Sequence, residues 1–127
     1  MLADHLSLLP PPACLDQYHD AIDRYFTTLN LGQFQATAAL FSPQGVLHPA
    51  VEDPVVGQDA IATYLQQECA EMQLQPGQRL TFVLESGKTL VRVYGVIKLC
   101  PFGTSVAWTF LLNSDVEIEQ VQVELLS

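Results

Sequence analysis

Positive charge is scarce in this chain: five lysines and arginines stand against fourteen aspartates and glutamates, for a formal net charge of −9. Without a basic cluster there is no electrostatic footprint for a phosphate backbone or an anionic bilayer, so nucleic acid is not an expected partner. Long hydrophobic runs are missing too, falling well short of the roughly 20 apolar residues a membrane helix needs. The opening "MLADHLSLL" carries Asp4 and no basic residue, which makes it a poor secretory signal. A cytoplasmic protein is the resulting expectation. Cysteines are few and odd in number: Cys14, Cys69 and Cys100 form no C-x-x-C pair and have no nearby histidine. That argues against a disulfide framework or a metal site. His5, His19 and His48 are scattered, and no serine, cysteine or aspartate sits at a signature spacing from them.

What the chain does have is apolar surface. Hydrophobic residues make up 49% of its 127 residues, enough to bury the core of one domain without metals or disulfides. The triple proline Pro10 to Pro12 cannot lie inside a helix or a central strand, so it separates a leader, residues 1–13, from a domain over residues 14–127. From Leu15, the residues Tyr18, Ile22, Tyr25, Phe26 and Leu29 recur at three- and four-residue steps and predict an amphipathic helix, stopped by "NLG" at Asn30 to Gly32. "QFQATAALF" reads as a second helix ended by Ser42-Pro43, "GVLHP" as a short strand, and "QDAIATYLQQECAEM" as a third helix running to about Met72.

Thereafter the period becomes two. Leu80, Phe82 and Leu84 share a face, as do Val91, Val93, Ile97 and Leu99 with Gly95 interrupting, and Val106, Trp108, Phe110 and Leu112. In the last strand the phase slips between Ile118 and Val121, which predicts a bulge near Glu119 and Gln120. The expected fold is α+β, a curved, mostly antiparallel sheet wrapped around N-terminal helices to form a cone with an apolar cavity.

Several residues are candidates for chemistry. Trp108 and Tyr25 are polar-tipped aromatics on inward stripes. Two such donors could meet on one carbonyl oxygen at the cavity floor, or each could be satisfied by backbone or water. Glu68 falls amid Ile61, Leu65 and Met72 on the third helix. Buried, it would be a candidate general base; at the cavity rim, it could meet an arginine of another protein. His48 beside Glu52 and Asp53 could form a catalytic pair or a solvated loop. Cys100, in "KLCPFGTS", lies in a turn where its thiol would be exposed.

The segments "RYFTTLNLGQFQATAALFSPQGVLHP", "PVVGQDAIATYLQQECAEMQL" and "VAWTFLLN" resemble the carotenoid-binding C-terminal domain of the orange carotenoid proteins of cyanobacteria, within the nuclear transport factor 2-like superfamily. The similarity runs from about Leu15 to Leu126 and looks like that of a stand-alone homologue. It implies that Tyr25 and Trp108 hydrogen-bond the keto oxygen of a keto-carotenoid such as canthaxanthin or echinenone. Leu31, Leu74 and Phe110 would line the tunnel, with Pro101 and Phe102 at the shortened turn before the "AW" strand. Glu68 matches a glutamate that pairs with an arginine of a helical carotenoid protein. Cys100 matches a cysteine that links stand-alone members into disulfide dimers. The implied role is non-catalytic: a homodimer that binds the carotenoid, exchanges it with helical carotenoid proteins and quenches singlet oxygen in photoprotection. Contact with a membrane during uptake, and association with the thylakoid, belong to the same expectation. The family's glycine-rich turn with its tryptophan is shortened here, and the tail that covers the tunnel is absent after "VELLS".

Two other functions fit the fold. A small isomerase or dehydratase acting on a hydrophobic cyclic substrate would use Glu68 or a nearby aspartate as base. A protein-interaction module would use Tyr25 and Trp108 only as core fillers.

Overall fold

The computed structural model describes residues 15–99 and 101–126. Helix α1, Leu15–Asn30, buries the expected stripe: Tyr18, Ile22, Tyr25, Phe26 and Leu29 face the core, while Asp16, Asp20 and Asp23 face water. Gly32 ends it with φ +76, a left-handed conformation in which a glycine costs least.

The second helix is shorter than expected. Helix α2 spans only Phe34–Ala38, and the chain is already strand β1, Phe41–His48, as it passes through Ser42-Pro43. Phe41 and Leu47 are both buried in the core, so the chain extends sooner than a helical period would allow. Pro43 cannot donate to the ladder, and the pairing of β1 with the last strand slips between Phe41 and Val46 to accommodate it. Gly45 is required in this irregular stretch, because a Cβ there would lie 2.9 Å from Phe41 Cβ and 3.0 Å from the Ile118 carbonyl oxygen.

Strand β2 is the pair Val55–Val56, and helix α3 spans Gln58–Glu68. The helix stops four residues before Met72, where the Met72 N–H closes a turn on the Cys69 carbonyl and redirects the chain into β3, Gln73–Val83. No glycine or proline marks this stop; tertiary context sets it. Strand β3 also takes in Pro76 and Gly77, which lie at a register shift against β4. Proline is tolerated there because β3 is an edge strand.

Strands β4, Thr89–Leu99, β5, Phe102–Leu112, and β6, Ile118–Leu125, complete a six-stranded sheet of order β2-β1-β6-β5-β4-β3, antiparallel except where β1 runs parallel to β6. Val91, Val93, Val106, Trp108, Phe110 and Leu112 are buried on its inner face, while Leu80 and Phe82, each 48% exposed, lie on the other. The predicted bulge is present: Leu111 pairs with Gln120 and Leu112 with Ile118, leaving Glu119 as the extra residue.

One contact ties the helical layer to the sheet edge. The Asn30 side-chain amide donates to the Leu74 carbonyl at 2.8 Å and accepts from the Leu74 N–H at 2.7 Å, taking the place of a neighbouring strand. Asn30→Ala would leave both backbone groups unpaired, so a loss of about 1–3 kcal/mol is expected in denaturant unfolding. An unchanged unfolding midpoint would show that water replaces the amide without cost.

Candidate functional site

Sheet and helices enclose a cavity of about 200 Å³ between the inner face of β4, β5 and β6 and helices α1 and α3. This volume holds a ring-sized group. It is smaller than the about 300–1,000 Å³ of pockets that engulf a whole drug-sized ligand. Tyr25 from α1 and Trp108 from β5 both border it, as the sequence leads one to expect. They are 2% and 1% exposed, so their polar tips reach nothing but the cavity and their immediate neighbours.

An edge-to-face aromatic cluster holds these two side chains. Phe26 meets Trp108 with ring centroids 4.8 Å apart at 75°, and Phe110 meets Tyr25 at 5.1 Å and 86°. Phe26 also contacts Tyr25 at 5.4 Å. Such pairs contribute about 0.5–1.5 kcal/mol each beyond area burial. Opposite them, Gly95 leaves the room that the indole needs: a Cβ there would lie 3.0 Å from Trp108 Cζ3.

The Tyr25 phenol is raised well above its ordinary range, first by burial and then by neighbouring Cys69 and Tyr64. It is therefore a neutral O–H donor at any physiological pH. Trp108 is a donor by nature. Both tips border the cavity, and among the described residues the fully buried side-chain polar atoms without a hydrogen-bond partner are instead Tyr18 Oη and Thr89 Oγ1. Two donor side chains bordering a mostly aliphatic cavity are suited to a ligand oxygen that can only accept.

The rest of the wall is mostly aliphatic. Leu74 lines it as expected, together with Leu29, Leu47 and Val123. Phe110 does not: it is fully buried and sits behind Tyr25 as its support. Leu31, 65% exposed, and Phe102, 76% exposed, lie outside the wall, as does exposed Pro101. Leu31 falls in the turn after α1, and Phe102 at the start of β5, at the far end from the inward stripe. Glu68 is exposed at the end of α3 and does not border the cavity, so it is not a buried base there. Cys100 and the leader lie outside the described residues.

Sequence reasoning missed a second polar group in the wall. Tyr64 of α3 donates to Glu52 Oε1 at 2.6 Å, and both border the cavity beside Cys69. Glu52 therefore pairs with Tyr64 and not with His48. The Tyr64 phenol is raised far above its usual range by burial and by this hydrogen bond. Burial, reinforced by the charges of Glu68 and Glu52, pushes the Cys69 thiol up to about 11. Cys69 should therefore be alkylated slowly at pH 8, with the rate rising as pH approaches 11; peptide-resolved iodoacetamide labelling measures this, and a fast reaction at pH 8 would contradict it. Above the ordinary thiol pKa of 9.0 the unfolded chain releases a proton that the folded one keeps. Stability linked to this group is thus intact below 9.0 and declines as pH rises toward about 11.

Helices packed over a bulged sheet around an apolar cavity fit the nuclear transport factor 2 architecture, and that family matches residues 15–117: the chain belongs to the nuclear transport factor 2 (NTF2) domain family. Within it, the chain is similar to the C-terminal domain of the orange carotenoid protein. It is 33% identical over 107 residues to the orange carotenoid-binding protein of Synechocystis, covering 81% of this chain and 34% of that protein. The chain therefore spans about a third of the length of such relatives. The structure of the Anabaena (Nostoc) orange carotenoid protein binding canthaxanthin superposes with a TM-score of 0.79 at 32% identity, over 84% of this chain and 35% of that one. The epoxide hydrolase/cyclase-like enzyme SalBIII superposes with a TM-score of 0.68 at 18% identity over 87% of this chain and 92% of that one, a likeness of fold alone. No described helix is long and apolar enough to cross a membrane.

Proposed function

We propose that this chain binds a keto-carotenoid, seating one keto ring in the cavity with the Tyr25 O–H and Trp108 N–H donating to its oxygen. The observation that carries the proposal is the convergence of two donor-bearing side chains, Tyr25 and Trp108, on one mostly aliphatic cavity. The likeness to a protein solved with canthaxanthin supports it. No metal is needed for this chemistry, and no three of the described His, Cys, Asp or Glu side chains gather as a metal site would.

The cavity admits a ring and not a whole polyene, so the remaining chain must leave through the mouth. Val51 and Leu125 border the cavity and are 82% and 53% exposed, making an apolar rim. A polyene emerging there leaves apolar surface in water unless a second tunnel covers it, and a twofold pairing of identical chains supplies one. The dimer then holds a symmetric carotenoid by both keto ends. Glu68, exposed near this layer, is the carboxylate available to an arginine of a helical carotenoid protein during transfer. Cys100 would link two copies under oxidising conditions. Singlet-oxygen quenching and photoprotection follow from the bound polyene.

An enzymatic role lacks a base in place. Among the described carboxylates only Glu52 borders the cavity, and it is exposed and already bonded to Tyr64. Canthaxanthin added to the carotenoid-free protein should co-elute with it in gel filtration at twice the protomer mass. A colourless protein peak would refute carotenoid binding, and a coloured monomer would refute the dimer.

A further inference from the structure

We infer that the Glu52–Tyr64 pair makes this cavity selective for a ring whose carbonyl neighbours a hydroxyl, an α-hydroxy-ketone end group. The inference rests on the keto-carotenoid proposal above. Tyr64 has one hydroxyl proton, and it goes to Glu52 Oε1 at 2.6 Å. That leaves the second carboxylate oxygen and the lone pairs of the phenol as acceptors in the same wall. Among the described residues the ion pairs are Arg79 with Asp23, Lys88 with Glu119 and Arg92 with Glu124, so Glu52 keeps its accepting capacity.

The polar chemistry of the cavity is therefore divided. Tyr25 and Trp108 offer donors in the interior, whereas Glu52 and Tyr64 offer acceptors at the wall. A carbonyl, which only accepts, uses the first pair and gains nothing from the second. A hydroxyl can donate to the second. The two pairs border the same ring-sized cavity, and Cys69 lies in the same wall. Donors and acceptors that face one ring-sized cavity can engage the neighbouring carbonyl and hydroxyl of a single end ring. Because Glu52 is satisfied by Tyr64 without ligand, a ring lacking the hydroxyl leaves no acceptor orphaned, and the selectivity is a preference instead of an exclusion.

Carotenoid-free protein titrated with canthaxanthin and with astaxanthin, which carries a hydroxyl beside each keto group, tests this. Astaxanthin should bind about tenfold more tightly, as one added hydrogen bond to a charged acceptor allows. In Glu52→Ala the ratio of the two affinities should fall to about one, and in Tyr64→Phe, which leaves the carboxylate without its anchor, it should fall in part. Equal affinities in the unaltered protein, or a ratio that survives both substitutions, would overturn the selectivity while leaving keto-ring binding intact. Failure of the folded protein to bind either carotenoid would overturn both. Glu52 lies on an exposed loop, so Glu52→Ala decides the matter if Tyr64→Phe does not fold.

Discussion

Gly95→Ala is expected to be the most damaging single-methyl change in the domain. The added Cβ would collide with the Gln75 carbonyl oxygen and lie 3.0 Å from both Pro76 Cα and Trp108 Cζ3. Two of these three contacts are backbone atoms of the neighbouring strand, so no rotamer change relieves them. Overpacking typically costs about 1–3 kcal/mol, and a clash with backbone belongs at or above the top of that range. A fall in Tm on the order of 10 °C follows for a domain of this size. Gly103→Ala is the control, since its Cβ would meet nothing nearer than 3.4 Å. If Gly95→Ala unfolds no earlier than Gly103→Ala, the account of how the sheet makes room for Trp108 is wrong.

The second large effect concerns the ligand. Tyr25→Phe and Trp108→Phe each remove one donor, and each should weaken canthaxanthin binding about five- to tenfold; the double variant should lose roughly 30- to 100-fold. Tyr25→Phe is the cleaner of the two, because the ring and its edge-to-face contacts with Phe26 and Phe110 stay in place. Trp108→Phe also removes buried volume and needs a stability measurement beside it. The bound carotenoid's absorption band should shift to the blue in each variant. Unchanged affinity and spectrum in the double variant would mean that the two side chains are satisfied within the protein and serve only as core.

The elements that could be read along the chain are those whose burial is decided by their own periodicity. Helix α1 shows its stripe because one side of it packs on the core, and β5 shows its own through Val106, Trp108, Phe110 and Leu112 because that part of the strand lays one face on the core. The bulge at Glu119 was visible for the same reason: a one-residue slip in alternation has no other geometric outcome in a paired strand. Only the second half of strand β1 was visible, as "GVLHP"; its start was not, because "ALFSPQG" places an apolar pair before a proline, a pattern shared by a helix end and by an irregular edge. The first half of β3, "QLQPGQ", reads as loop, and only its edge position and register shift make a strand of it.

The site divides along the same line. Tyr25 and Trp108 stood out as polar tips on apolar stripes. Leu74 came only through the family resemblance. Cys69, Tyr64 and Glu52 converge on the cavity from α3 and the loop before it, a juxtaposition that no local pattern contains. Tyr64 sits three residues after Ile61 and so lay near a visible stripe, which was the one available signal.

The central claim is that this cavity recognises a keto oxygen. It is tested most directly by producing the protein in two cell lines, one making canthaxanthin and one making only β-carotene, which has the same polyene and no oxygen. The account predicts a coloured protein with a strongly red-shifted band from the first and a colourless protein from the second. Colourless protein from both, or equal loading with β-carotene, would contradict it.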